Sequence, residues 1–269
     1  MNGINALKNP EDAYCVEEGI YVYCIADGEA FPFLKNKGLG GCDVWTYKCM
    51  DLFAVLQNCP AEYLTKKDEE TLKAWVLIHQ KVIDEVSGKS GALLPFGFGK
   101  VLNKREGITP VESLKNWIEQ NHQSLKEKLE RVRGKDEYGI QVFLDASGIQ
   151  AELAENSIEI ARIKNAIASS SEGMAFLYQE KLSRLVSAEL ERKACEFFSI
   201  FYSNIKEFAD EIKMESTKNS APGKKMIMNL SCLVSKEQVQ LLGYLLEDIE
   251  KDERFNVRFT GPWAPYSFV

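Results

Sequence analysis

The chain has 269 residues, enough to bury a sizeable core in two domains or one large one, and its 45% hydrophobic and 27% charged residues are those of an ordinary globular protein. Its net charge of −7, with acids and bases mixed along the helical stretches, argues against a nucleic-acid binder, which would carry a basic patch or stripe. No run of 18 apolar residues is present, so no membrane-spanning helix is expected. Residues 1–18 lack the basic-then-apolar order of a secretory signal, which makes the cytoplasm the default compartment.

Residues 1–19 are polar, carry Pro10 and read as a lead-in. Residues 20–26 are rich in β-branched and aromatic side chains and end at Asp27-Gly28, which predicts a first strand closed by a turn. After a loop opened by Gly38, Gly40 and Gly41, residues 42–48 and 52–56 give two more strands. The first helix is predicted over residues 65–86, with Leu72, Trp75, Val76, His79, Val82, Ile83 and Val86 on one face and Gly88 as its stop. Residues 92–102 read as an extended segment interrupted by Pro95, hence an edge strand or one with a bulge. Thr109-Pro110-Val111-Glu112 combines a cap, a first-turn proline and a box-closing carboxylate. The helix it opens carries Val111, Leu114, Ile118, His122, Leu125, Leu129 and Val132 on one stripe and stops at Gly134.

Gly134-Lys135-Asp136 marks the expected domain boundary. Beyond it, Tyr138, Ile140, Val142 and Leu144 alternate as in a strand. Helix follows to about residue 213, broken at Ser169-Ser170-Ser171, and its long second piece over residues 172–213 keeps Leu182, Leu185, Val186, Leu190, Ala194, Phe197, Phe198 and Phe201 on one stripe. Such a stripe packs on the protein's own sheet or on another subunit. A polar loop leads to a strand with Met228, Leu230, Cys232 and Val234 on one side, and Ser235-Lys236-Glu237-Gln238 reads as a second capping box. Its helix buries Val239, Leu242, Leu245, Leu246 and Ile249, and Phe255, Val257 and Phe259 alternate in a last strand. The sum is an α+β protein of two domains, an N-terminal α/β domain over residues 1–134 and a C-terminal domain with a long amphipathic helix over residues 135–269.

Chemistry is sparse. Gly88-Lys89-Ser90 ends like a phosphate-binding loop, but Ile83 stands where the motif needs glycine and a helix precedes it. Gly97-Phe98-Gly99 begins like a dinucleotide fingerprint, yet Leu102 breaks it. Both histidines, His79 and His122, fall on apolar helix faces, which favours a hydrogen-bonded core role over that of base or ligand. Cys15, Cys24, Cys42, Cys49, Cys59, Cys195 and Cys232 include no C-x-x-C pair, so reduced thiols are expected and no metal or cofactor is called for.

The unusual stretch is the C-terminus. After Arg258 there is no charged side chain, and residues 259–269 hold Trp263, Tyr266, Phe268 and two prolines, Pro262 and Pro265. The prolines predict a stiff, extended tail with its rings held out to dock, either on the protein's own core as a clamp or on a partner. The sequence from Gly261 to Val269, GPWAPYSFV, resembles the GPWPPYSFV signature of the gas vesicle protein F/L family (GvpF/GvpL), with Ala264 as its one departure. Further matches follow in the family's order. Tyr21-Val22-Tyr23-Cys24-Ile25 resembles its YxYGI strand, and His79 lies where many members carry a histidine. The stretch from Leu93 to Val101 resembles VLPVRFGTV with Gly97 for its arginine, Glu137 to Val142 resembles EWGVKV, and Phe176 to Lys181 resembles YLxxK.

The resemblance implies two domains with the C-terminal one ferredoxin-like. It also implies a non-enzymatic accessory or minor structural protein of gas vesicles, located with them in the cytoplasm, that binds the major shell protein GvpA and other minor gas vesicle proteins during assembly. The competing expectation is a cytoplasmic enzyme with a small-molecule site in a cleft between two domains.

Overall fold

A computed structural model describes residues 19–29, 34–65, 67–105, 107–218 and 222–269; the N-terminal lead-in with Cys15 lies outside the described residues. The chain divides into two compact units. The first comprises the described residues up to Asp136 together with Trp263–Val269, and the second is Glu137–Pro262.

The sheet of the first unit is built from β1 (Gly19–Asp27), β2 (Val44–Cys49), β3 (Leu52–Cys59), β4 (Leu93–Pro95) and β5 (Val101–Asn103). Its order is β2-β3-β1-β4, with β5 also paired to β1. The extended run around Pro95 thus becomes two short strands on the same flank of β1, Leu93–Pro95 against Cys24–Ala26 and Val101–Asn103 against Gly19–Tyr21. Proline has no N–H to give to a ladder, and β4 ends on it.

Two helices cover this sheet. α1 (Glu69–Ser87) begins four residues later than the expected start at residue 65, because the Asp68 carboxylate accepts the Thr71 N–H at 2.8 Å and caps it there. α2 (Pro110–Val132) starts on the predicted box, with both Thr109 and Glu112 limbs made. Trp75, Val82, Ile83 and Val86 of α1 pack with Tyr21, Tyr23, Phe53 and Val55. The alternate strand residues Ile20, Val22, Ile25, Leu52, Ala54 and Leu56 are equally buried, and α2 supplies Leu114, Ile118, Leu125, Leu129 and Val132. β1 is therefore buried on both faces.

Polar groups inside this unit are paired. His79, 3% exposed, receives the Tyr21 hydroxyl proton at Nδ1 (2.9 Å) and donates from Nε2 to the Phe96 carbonyl (3.2 Å). A carbonyl only accepts, so this fixes the Nε2–H tautomer. The Tyr21 oxygen in turn accepts the Gly99 N–H at 3.1 Å. A second set surrounds Leu39. Tyr23 donates to Gln57 Oε1 (2.6 Å) and accepts the Leu39 N–H (3.2 Å), while Gln57 Nε2 and the Tyr63 hydroxyl both donate to the Leu39 carbonyl (2.8 and 2.6 Å). A Cβ at Gly38 would run into Gln57 Oε1 and lie 2.6 Å from the Tyr23 oxygen, so only glycine fits beside this network.

The second unit contains β6 (Lys135–Asp145), α3 (Ala146–Asn156), α4 (Ile158–Ala168), α5 (Glu172–Lys206), β7 (Glu211–Met214), β8 (Lys224–Ser235), α6 (Val239–Glu250) and β9 (Phe255–Trp263). The sheet order is β7-β8-β6-β9. With helices after β6 and β8, this is the ferredoxin-like order of a split β-α-β. The even residues of β6 from Tyr138 to Leu144 pack with Met228, Leu230, Cys232 and Val234 of β8, with Leu242 and Leu246 of α6, and with the stripe of α5 from Leu182 to Ile205.

Three expectations for this unit are corrected. The long helix does not reach residue 213; it ends at Lys206, and Glu211–Met214 forms an edge strand paired with β8 from Leu230 to Leu233. Four residues of mixed propensity carry no strand signal of their own, and the partner strand decides them. The earlier helix is two helices, divided where Ser157 Oγ accepts the Ile160 N–H at 3.3 Å. The Ser235 box does not form, since Ser235 closes β8 and its carbonyl takes the Gln238 N–H at 3.0 Å, so α6 starts only at Val239.

Cys24, Cys49, Cys59, Cys195 and Cys232 are free thiols, and burial pushes those of Cys59 and Cys232 up to about 12. Cys42 departs from the expectation of reduced thiols, being disulfide-bonded.

Burial lowers the pKa of His79 to about 4, against a partial opposing effect of the bond to Phe96. The unfolded chain takes up this proton as pH falls through about 6.5, whereas the folded chain resists until about pH 4. Stability contributed by neutral His79 is thus present above pH 6.5 and lost between pH 6.5 and 4, by about 3 kcal/mol in total. Urea unfolding followed across that range will show a decline with acidification that is shallower in His79→Gln.

Candidate functional site

The C-terminal stretch is carried to its place by β9, an edge strand that includes Gly261, Pro262 and Trp263. An edge tolerates Pro262 because a strand there has a free side that needs no N–H. The peptide bond before Pro262 is cis. From Trp263 onward the residues belong to the first unit.

The structure divides the predicted site residues. Pro262 and Trp263 are exposed, with 43% of Trp263 in contact with solvent. Ala264 and Pro265 are buried, and Ala264 joins the cluster of Tyr21, Tyr23, Trp75 and Val82. The tail is not extended to its end: residues Tyr266–Phe268 form a single 3-10 turn, closed by the Phe268 N–H on the Pro265 carbonyl at 3.1 Å. This turn swings the Phe268 ring inward, where it is 2% exposed. Tyr266 is half-buried, its hydroxyl donating to Gln80 Oε1 of α1 at 3.1 Å and its ring 6.4 Å from that of His79. Ala264 and Tyr266 thus pack with the core around α1 and β1, Pro265 and Phe268 are buried, and Trp263 alone of the three aromatics faces water.

Beside the tail, Tyr266 and Val269 border a cavity of about 310 Å³ with Ile25, Pro95, Phe96, Trp117 and Lys128. Gly97, which stands where the resemblance has arginine, also lines it. A Cβ there would meet nothing within 4 Å, so a side chain can be accommodated.

Neither histidine is available as a base. His79 is committed at both nitrogens, and His122 Nε2 lies 2.5 Å from Asp51 Oδ1, with Lys126 Nζ 2.6 Å from the other oxygen. Lys126 and then His122 hold the Asp51 carboxyl well below the usual carboxylate range. The pair ties α2 to the turn between β2 and β3. Lys89 pairs with Glu85 at the C-terminal end of α1, where carbonyls and not N–H groups are unsatisfied, so the Gly88-Lys89-Ser90 sequence cradles no phosphate. The Gly99 N–H is spent on Tyr21. Among the described residues no three His, Cys, Asp or Glu side chains converge as metal ligands, and no helix is long and apolar enough to cross a membrane.

Gln57 and Tyr63 went unremarked in the sequence and Tyr21 was read only as a strand residue, yet their polar atoms specify the interior. Gln57 carried a signal, as one of the two adjacent amides, with Asn58, that interrupt the apolar run Leu52–Cys59.

Phe268→Ala removes a fully buried ring and will lower unfolding free energy by about 3–5 kcal/mol, whereas Trp263→Ala will cost about 1 kcal/mol or less. Urea denaturation of the two variants reads the difference directly.

Against known proteins, the family model described as "Gas vesicle synthesis protein GvpL/GvpF" matches residues 19–269. Gas vesicle protein L1 of Halobacterium salinarum is 24% identical over 262 residues, covering 94% of this chain and 91% of that protein. Gas vesicle protein L of Haloferax mediterranei is 25% identical over 241 residues, covering 87% and 73%. The crystal structure of the gas vesicle protein GvpF from Anabaena shares the fold with a TM-score of 0.76 at 20% identity, covering 93% of this chain and 98% of that one. GvpF from Microcystis aeruginosa gives 0.67 at 20% identity with the same coverage. Matched from β1 through its last residue, the chain belongs to the GvpL/GvpF family of gas vesicle proteins.

Proposed function

We propose that this chain is an accessory protein of gas vesicle assembly that binds the major shell protein GvpA and hands or holds it during growth of the wall. Membership of the GvpL/GvpF family over residues 19–269 carries this reading. Physical support comes from the surface. A subunit that lines a gas space is apolar and aggregates when free, and a partner that covers it must itself offer apolar side chains to water. Met174, Phe176 and Leu177, in the first turns of α5, are 45%, 62% and 56% exposed, and Trp263 is 43% exposed. The tail then has a double role, with Ala264, Pro265 and Phe268 as clamp and Trp263 with Pro262 as contact.

Purified chain immobilised through its N-terminal end will retain the shell protein, and a strain lacking this gene will make fewer or no vesicles. Absence of retention together with normal vesicles in that strain would refute the proposal. Trp263→Ala is expected to weaken retention while leaving the unfolding midpoint nearly unchanged.

A further inference from the structure

A second cavity of the first unit, about 540 Å³, lies where residues 96–105 approach α2. Its floor is apolar: Val22 of β1, Phe96, Val101 and Leu102 of the β4–β5 segment, and Leu114 and Trp117 of α2. The Phe96 and Trp117 rings stand 6.0 Å apart as one wall, and Trp117 leaves 39% of its surface in water. Its rim is cationic, carrying Lys100 and Arg105. No carboxylate among the described residues lines this cavity, and neither cation forms an ion pair with a described residue, in a chain of 40 acidic against 33 basic residues. Other surface cations, among them Lys89, Lys126, Arg133 and Arg192, are held by carboxylates.

We infer that this cavity is a docking site for a protein segment that combines a bulky apolar side chain with one or more carboxylates. The size suits one or two large side chains. An exposed tryptophan beside a second ring is the kind of anchor on which interface energy concentrates. Two rim cations with no carboxylate partner among the described residues select for acidic flanks and speed encounter, which matters for a chain whose overall charge repels acidic partners. A free phosphate group is the competing occupant, since Lys100, Asn103, Arg105 and Ser113 could offer it donors, but the six apolar side chains of the floor offer it nothing. The inference rests on the reading that the chain acts by binding another gas vesicle protein, and it fixes that partner's chemistry and the face it meets.

The test uses short fluorescent peptides tiling the shell protein and the other gas vesicle proteins, titrated with the purified full chain by fluorescence polarisation. Peptides carrying both acidic and large apolar residues are expected to bind. Lys100→Glu with Arg105→Glu should weaken them at least tenfold, Trp117→Ala about tenfold, and added salt progressively. Lys206→Glu, on α5, should change nothing. Circular dichroism of each variant checks that it is folded, and Lys100, Arg105 and Trp117 are exposed enough that it should be. Binding that ignores the rim variants, or that prefers basic peptides, or displacement of the peptides by inorganic phosphate or an oligonucleotide at equal charge, would overturn the inference. Retention of the intact shell protein with no groove-dependent peptide defeats the inference and leaves the proposed function standing; loss of both defeats both.

Discussion

A strand buried on both faces cannot keep polar side chains without giving each of them a partner, and the first unit is arranged around that requirement in β1. Tyr21 and Tyr23 place two hydroxyls in the interior, where an unpaired group costs about 1–3 kcal/mol. Each hydroxyl is met by a donor and an acceptor drawn from a different part of the chain. Tyr21 is joined to α1 through His79 and to the β4–β5 segment through Gly99, while Tyr23 is joined to β3 through Gln57 and to the loop at Leu39. Burial alone would permit many packings of helix on sheet. These bonds admit one, since a slip of register strands at least two buried polar groups.

Much of this architecture was legible in the residues. Alternation and helical stripes located most of the strands and helices, because each of those elements buries a face and the pattern is the burial. The Thr109 box was readable for a different reason, as a local bond between residues three apart. The sequence reading failed where a distant segment decides. Glu211–Met214 is a strand because β8 lies beside it, and Ser235 is no cap because the ladder of β8 holds it to its last residue. The tail shows both regimes. Its composition announced a docked terminus, and the prolines suggested an extended one, but the inward turn at Tyr266–Phe268 exists only because a pocket is there to receive Phe268.

The candidate site was legible as a set of residues and not as a geometry. Nothing in the order Trp263, Tyr266, Phe268 tells which ring is interior; the spacing of the turn after Pro265 decides it, leaving Trp263 outside. The cationic cavity was less visible still. Phe96, Lys100, Arg105 and Trp117 come from the loops before and after β5 and from α2, none at a spacing that a motif could register, and they meet only because β5 and α2 flank the same stretch of β1. Both histidines serve structure, His79 as the buried, hydrogen-bonded bridge its apolar face suggested and His122 in a surface contact with Asp51.

The membership of residues 263–269 in the first unit has a consequence for how the protein is made. Strands β1 to β5 and helices α1 and α2 are synthesised first, yet the core they enclose waits for Ala264, which is made only after the whole second unit. Until that stretch is made, the surface that will receive it is bare, and the second unit, whose last strand β9 runs into the tail, is being completed at the same moment. A stop codon ahead of residue 263 would therefore damage the part of the protein encoded far upstream, and the first unit cannot be finished before the second has been synthesised.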